Sequence, residues 1–181
     1  KKMGIAPHIR EKMEGSSFIR KMFEEGIALK KIHGADKVYD FSIGNPDLEP
    51  PKKILDTIKE LALSEDKGRH GYMPNPGFVE TREAIAKKVS GEQGVTLSFG
   101  HTVMSVGAAG ALNTVFKSIL SPGDEIIVPA PFFAEYTRYA ENHGGTLVPV
   151  PTKEDFSLDV EAIKNRLSEK TAGVLINSPN N

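Results

Sequence analysis

The sequence contains no cysteine. That excludes a disulfide scaffold, a thiolate zinc site and a cysteine nucleophile. It has no apolar run near the roughly 18 residues needed to span a bilayer. It has no excess of either charge: 23 Lys and Arg stand against 24 Asp and Glu, for a formal charge of -1. A balanced charge gives no general pull toward nucleic acid. The basic start Lys1-Lys2-Met3-Gly4 is followed by His8, Arg10, Glu11, Lys12 and Glu14, which leave no apolar core for a secretory signal. A cytoplasmic protein without a membrane or nucleic-acid partner is expected. The five histidines (His8, His33, His70, His101 and His143) have no ligand-like spacing, so no metal site is expected. Ser105 and Ser178 lack the Gly-x-Ser-x-Gly context of a hydrolase nucleophile. No carboxylate pair stands out for acid–base work.

What is present is 181 residues with 39% apolar and 26% charged side chains. At ~150 residues per domain this is slightly more than one domain, with enough apolar material for a core. Residues 1–37 are charged and broken by glycines, and Phe18 to Ile32 has a helical spacing of Phe18, Met22 and Leu29. This stretch is an arm lying on something else or a frayed terminus. Val38 to Ile43 alternates as a short strand or extended segment, and Gly44-Asn45-Pro46-Asp47 turns the chain. Pro50-Pro51 opens a helix with Ile54, Leu55, Ile58, Leu61 and Ala62 on one stripe. Gly71 to Gly77 holds two prolines, two glycines and Tyr72, and is irregular. A helix with Phe78, Ile85 and Val89 on one face follows, closed by Gly91 to Gly94.

From about residue 101 strands and helices alternate. Strands are predicted at 102–106, 125–128, 146–150 and 172–177. Helices are predicted at 108–120, 132–143 and 158–167, with Ala111, Leu112, Val115, Phe116 and Ile119 inward in the first. Tyr136, Tyr139 and Ala140 point inward in the second, and Val160, Ile163 and Leu167 in the third. Ser157 or Asp159 is a suitable N-cap for the last helix. The pattern predicts an α/β fold: three αβα layers around a mostly parallel sheet. Its last strand has no following helix or edge partner, which reads as a cut inside the fold. Ligands in such sheets bind beyond the carboxyl ends of the strands, which points to Gly107–Gly110, Pro129–Phe133 and Asn177–Asn181.

Each of these three stretches has two readings. Val106-Gly107-Ala108-Ala109-Gly110 lets a helix start approach a phosphate, or lets the helix pack tightly on the sheet. It is neither a P-loop nor the dinucleotide pattern Gly-x-Gly-x-x-Gly. Phe132 and Phe133 either pack in the core, as a phenylalanine at a strand end commonly does, or, being adjacent and pointing in different directions, put at least one ring toward the cleft. The amides of Asn177, Asn180 and Asn181 bond either a ligand or loop backbone.

Six segments in this order resemble a known family. They are Ser42 to Asp47, Gly71 to Gly77, Val106 to Leu112, Leu120 to Glu125, Pro131 to Tyr136, and Asn177-Ser178-Pro179-Asn180-Asn181. The chain resembles the N-terminal portion of fold-type I pyridoxal-phosphate enzymes, specifically the class I/II aminotransferases of the aspartate aminotransferase kind. The resemblance implies an arm at 1–37, a small-domain and active-site loop segment at 38–100, and an incomplete cofactor-binding large domain at 101–181. It implies that backbone N–H groups of Gly107, Ala108 and Ala109 hold the phosphate of pyridoxal 5'-phosphate. The hydroxyl that relatives often carry in this stretch is absent. Phe133 resembles the aromatic residue stacked on the pyridine ring, and Asn181 the amide that bonds the phenolic oxygen. Tyr72 resembles the tyrosine that reaches the partner subunit's cofactor, and Gly44 the glycine that contacts the substrate carboxylate.

By the same resemblance the intact enzyme is a homodimer that moves an amino group between an L-amino acid and a 2-oxo acid. Its Schiff-base lysine, ring-nitrogen aspartate and two arginines lie downstream, so this chain holds no catalytic residue and is inactive alone. A lyase, decarboxylase or acyl-transfer enzyme on the same scaffold is the alternative within the family. A non-catalytic α/β binding domain is the alternative outside it.

Overall fold

In the computed structural model, residues 4–7, 9, 10, 18–42, 44 and 46–180 are described. The backbone divides into two compact units, Lys1–Arg69 and His70–Asn181. In the first, helix α1 spans Phe18–His33 and α2 spans Lys52–Leu63, with a 3-10 turn at Ala35–Lys37 between them. Pro51 stands at the N-cap of α2, where its missing N–H removes no helical bond. Arg69 caps the other end by donating to the carbonyls of Leu61, Ala62 and Ser64. The apolar stripe of α2 has the expected spacing, yet Ile54, Leu55, Ile58 and Leu61 are all exposed. Residues 38–42 are extended but pair with no strand among the described residues.

The second unit holds α3 (Val79–Gln93), a 3-10 turn (Phe99–His101) and α4 (Gly107–Ile119). Next come β1 (Glu125–Ala130), α5 (Glu135–Glu141), β2 (Thr146–Pro151), α6 (Val160–Arg166) and β3 (Thr171–Val174). The strands form one sheet of order β2-β1-β3, parallel at both junctions. Both connections cross over through a helix, as parallel neighbours require. Ile126, Ile127 and Val128 are buried in succession, the mark of a middle strand covered on both faces. On one face Ile126, Val128 and Leu147 meet Phe116 of α4 with Tyr136 and Ala140 of α5. On the other, Ile127, Val148 and Val150 meet Ala162 and Ile163 of α6. Each fully buried isoleucine contributes roughly 1.5–3 kcal/mol. The Asp159 carboxylate accepts the Ala162 N–H at 2.9 Å and is the N-cap of α6.

Three expectations are corrected. Residues 102–106 form no ladder: the Met104 N–H donates instead to Pro76 O at 2.9 Å. A strand needs a partner far along the chain, and among the described residues this segment has none. Helices α5 and α6 are shorter than expected at both ends: residues 132–134 and 142–143 fall outside α5, and the N-cap at Asp159 and C-cap at Leu167 confine α6 to Val160–Arg166. Phe78, Val115, Ile119, Val160 and Leu167 have the right spacing but are exposed. No helix among the described residues is long and apolar enough to cross a membrane.

Candidate functional site

The order β2-β1-β3 sets the loop after β1 between the loops that follow its neighbours. Hydrogen bonds tie all three together. Thr152, just after β2, donates its Oγ1 to Ala130 O at 3.1 Å and its N–H to the same oxygen at 3.3 Å. Asn180, after β3, donates its Nδ2 to Pro131 O at 2.8 Å. Between them lies a cavity of about 230 Å³ lined by Val128, Tyr136, Thr152, Phe156, Asn177 and Ser178, among others. Phe156 stands at its rim with φ +63°. Such a conformation in a non-glycine residue costs on the order of 1–3 kcal/mol. The surrounding loop holds it there. Phe156 N–H donates to Lys153 O at 2.9 Å and Lys153 N–H to Ser157 O at 3.0 Å. Asp155 Oδ1 accepts from Ser157 Oγ and N–H, which lowers the Asp155 pKa below its ordinary value.

The two adjacent phenylalanines diverge as their sequence demands. Phe132 packs on the core cluster beneath α5. Phe133 is 38% exposed and meets Tyr136 edge-on, with ring centroids 5.5 Å apart at 83°. Phe133 thus keeps part of its ring exposed beside Tyr136, but it is not among the residues that line the cavity. Among the strand-end amides, Asn180 uses its Nδ2 on loop backbone, while Asn177 lines the cavity. Asn181 lies outside the described residues.

The first turn of α4 is built from residues no larger than alanine. Gly107 has φ +63°, and no heavy atom lies within 4 Å of where a Cβ would stand. Its N–H donates to Ser105 O at 3.1 Å, and Gly110 N–H donates to Val106 O at 3.2 Å. The N–H groups of Ala108 and Ala109 fall between these two and have no preceding helical carbonyl. Both residues are exposed. This donor set, neutral and open to solvent at a helix start, fits the phosphate of a cofactor such as pyridoxal phosphate. Gly44 is exposed in the first unit with nothing within 4 Å of its Cβ position, while its neighbours Ile43 and Asn45 lie outside the described residues. Among the described residues no cluster of three or more His, Asp or Glu could hold a metal ion.

Tyr72 is fully exposed, on a loop that is nonetheless pinned. Gly77 N–H donates to Pro74 O at 2.8 Å, and Pro76 O accepts from Met104. The loop thus packs on the segment that leads into α4. The buried Arg82 and the bonded pair Lys30–Asp40 are absent from the sequence reading. Arg82 had a signal: it falls on the helical row Phe78, Arg82, Ile85, Val89, a charge set among apolar positions. Asp40 had none beyond the alternation around it.

The model of the family "Aminotransferase class I and II" matches residues 36–181. The chain belongs to this family. Its sequence is 35% identical over 140 residues to the aspartate/prephenate aminotransferase of Thermus thermophilus, covering 76% of this chain and 36% of that protein. An amino transferase from Eubacterium rectale has the same fold, with a TM-score of 0.90 and 39% identity over 99% of this chain and 46% of that one. An aspartate aminotransferase from Thermotoga maritima superposes with a TM-score of 0.82 at 31% identity, over 98% of this chain and 46% of its own. The chain spans less than half the length of the relatives it matches. Its α/β architecture with a parallel sheet is that of an incomplete fold-type I large domain with an N-terminal arm.

Proposed function

We propose that the whole protein is a cytoplasmic, homodimeric, pyridoxal-phosphate-dependent aminotransferase that moves an amino group between an L-amino acid and a 2-oxo acid. The observation that carries this reading is the first turn of α4, with its open, side-chain-free donors, in a chain of the aminotransferase class I and II family. The names of the relatives, aspartate and aspartate/prephenate aminotransferase, support an amino acid and its oxo acid as the substrate class.

In this reading the N–H groups of Ala108 and Ala109 would hold the phosphate at the strand ends, while Gly107, whose own N–H is bonded to Ser105 O, contributes the close approach that the absence of a side chain allows. Phe133 would hold the pyridine ring by stacking on it. Asn181 would donate to the phenolic oxygen and favour its deprotonated form. Gly44 receives the substrate carboxylate, and Tyr72 serves the partner subunit, which its full exposure supports. When bound, the cofactor supplies an electron sink that weakens the bonds of the substrate α-carbon. The lysine that carries it belongs to the chain beyond residue 181. Residues 1–37 are the arm, 38–100 the small-domain and loop segment, and 101–181 the first part of the large domain.

Replacing Ala109 by proline in the full-length protein tests the phosphate site. Proline removes one N–H, and residue 105, four positions earlier, lies outside the helix, so the ring meets no helical carbonyl. A hydrogen bond to a charged group is worth about 1.5–3 kcal/mol, and solvent replaces part of it at an open site, so losing one donor costs about 1–3 kcal/mol. A cofactor titration is expected to show the dissociation constant rising about 5- to 150-fold with the circular dichroism unchanged. Unchanged affinity in the folded variant rejects the site.

A further inference from the structure

Arg82 is the one buried charged residue found among the described residues, only 7% exposed. Nothing in the proposed reaction uses it. Its Nε donates to Thr102 O at 2.7 Å and its Nη2 to Phe99 O at 2.6 Å. Its guanidinium carbon lies 5.3 Å from the centre of the Phe99 ring. The two carbonyls bracket the 3-10 turn Phe99–His101, which opens the segment that ends in Gly107. On its other side the Arg82 Cδ lies 3.8 Å from the Cβ position of Gly77. Met104 fills the rest of that space, and its N–H is bonded to Pro76 O at 2.9 Å.

Arg82 therefore stands where three pieces meet: α3, the segment running into α4, and the loop carrying Tyr72. Burying a guanidinium among carbonyls is costly unless its donors are used, and here they are used on backbone rather than on a carboxylate. A backbone acceptor gives fixed geometry to the chain rather than charge balance. We propose that Arg82 is a positioning residue for the cofactor phosphate. It holds residues 99–104 and the loop 71–77 in one register, so that the first turn of α4 and Tyr72 are presented together. One side chain then sets a phosphate contact in its own subunit and another offered to the partner. The proposal rests on the reading that the first turn of α4 holds a phosphate. Lysine does not replace arginine here, because a single ammonium lacks the planar fork that reaches two carbonyls three residues apart.

The test uses the full-length protein with Arg82→Met and Arg82→Lys. Binding of pyridoxal phosphate is compared with binding of pyridoxal, which lacks the phosphate, by absorbance titration. The expected result for Arg82→Met is a dissociation constant raised at least about tenfold for pyridoxal phosphate and under about twofold for pyridoxal. Arg82→Lys, which keeps the charge and the stem, is expected to lose phosphate affinity by a smaller factor with the same selectivity. It carries the test if the methionine variant fails to fold. Equal losses for both ligands, or a lower melting temperature with unchanged affinities, would mark Arg82 as a prop for the fold and overturn the proposal. A wild-type protein that binds both ligands equally would overturn the phosphate reading itself, and this proposal with it.

Discussion

Replacing Gly77 by alanine isolates the junction that holds the Tyr72 loop. Two costs are visible in the structure. Gly77 has φ +99°, where an L side chain is strained, at about 1–2 kcal/mol. Its new Cβ would stand 2.8 Å from Met104 Cβ and closer still to Met104 Cγ. The Met104 Cβ cannot swing away as a side-chain end can, since it moves only with a backbone whose N–H is bonded to Pro76 O. Forcing a methyl group into such a contact costs about 1–3 kcal/mol. The sum is a loss of about 2–5 kcal/mol. Gly91 is the control. It lies in α3 with ordinary φ and no heavy atom within 4 Å of its Cβ position, so alanine there is expected to stabilise by roughly 0.5–1 kcal/mol. The same substitution thus has opposite signs at two sites fourteen residues apart. Urea unfolding followed by far-ultraviolet circular dichroism measures both. With a slope of about 2 kcal/mol per molar urea, Gly77→Ala lowers the midpoint by about 1–2.5 M and Gly91→Ala raises it by about 0.25–0.5 M. A Gly77→Ala midpoint at or above that of the wild type would refute the packing argument.

Two further outcomes follow from particular side chains. Tyr72 has no neighbour burying it, and a role toward the partner subunit predicts complementation in the full-length protein. Subunits carrying Tyr72→Phe, mixed with subunits whose cofactor-bearing lysine is replaced, are expected to regain activity through one intact site per hybrid. No recovery despite demonstrated subunit exchange would put Tyr72 to work within its own chain. Asp40 has its carboxyl pKa held well below the ordinary 3.8, first by the Lys30 ammonium at 2.8 Å and then by the Ser42 hydroxyl and N–H. A lowered pKa contributes stability that is complete above about pH 3.8 and is lost as pH falls toward the folded value. Melting temperatures of the wild type and Asp40→Asn are therefore expected to differ by a constant amount from pH 7 to about 5 and to converge below about pH 4. A gap that stays constant down to pH 2 contradicts the assignment.

The strand–helix alternation after residue 101 was legible because each element carries its own local signal. Ile126 to Val128 is an unbroken apolar run, as a strand buried on both faces must be, and Pro122-Gly123 and Gly144-Gly145 mark its limits and those of α5. The short apolar stretch at 102–106 has the same local signal and no ladder. Pairing depends on residues distant in sequence, which periodicity does not report. The same limit explains Val115, Ile119, Val160 and Leu167. Spacing defines a stripe, and only a neighbour turns a stripe into a core. The small residues at Gly107–Ala109 were legible because the absence of side chains is itself a local property. Arg82 lay in plain view on an apolar row, but its meaning depends on two carbonyls 17 and 20 residues away.

The site follows from the sheet order more than from any one residue. A strand in the middle of a parallel sheet has a neighbour on each side, so the loop after it is flanked by two others. Here the flanking loops do not merely lie close. Thr152 bonds the last carbonyl of β1, and Asn180 bonds the next one along, at Pro131. Those bonds fix the backbone on either side of residues 130 and 131, two positions before Phe133. The backbone leading to Phe133 is thereby tied to both flanking loops, while Phe132 packs on the core cluster. Phe133 therefore stays 38% exposed against the edge-on ring contact with Tyr136 while its neighbour supplies the core packing, so one short segment serves the core and the surface at once.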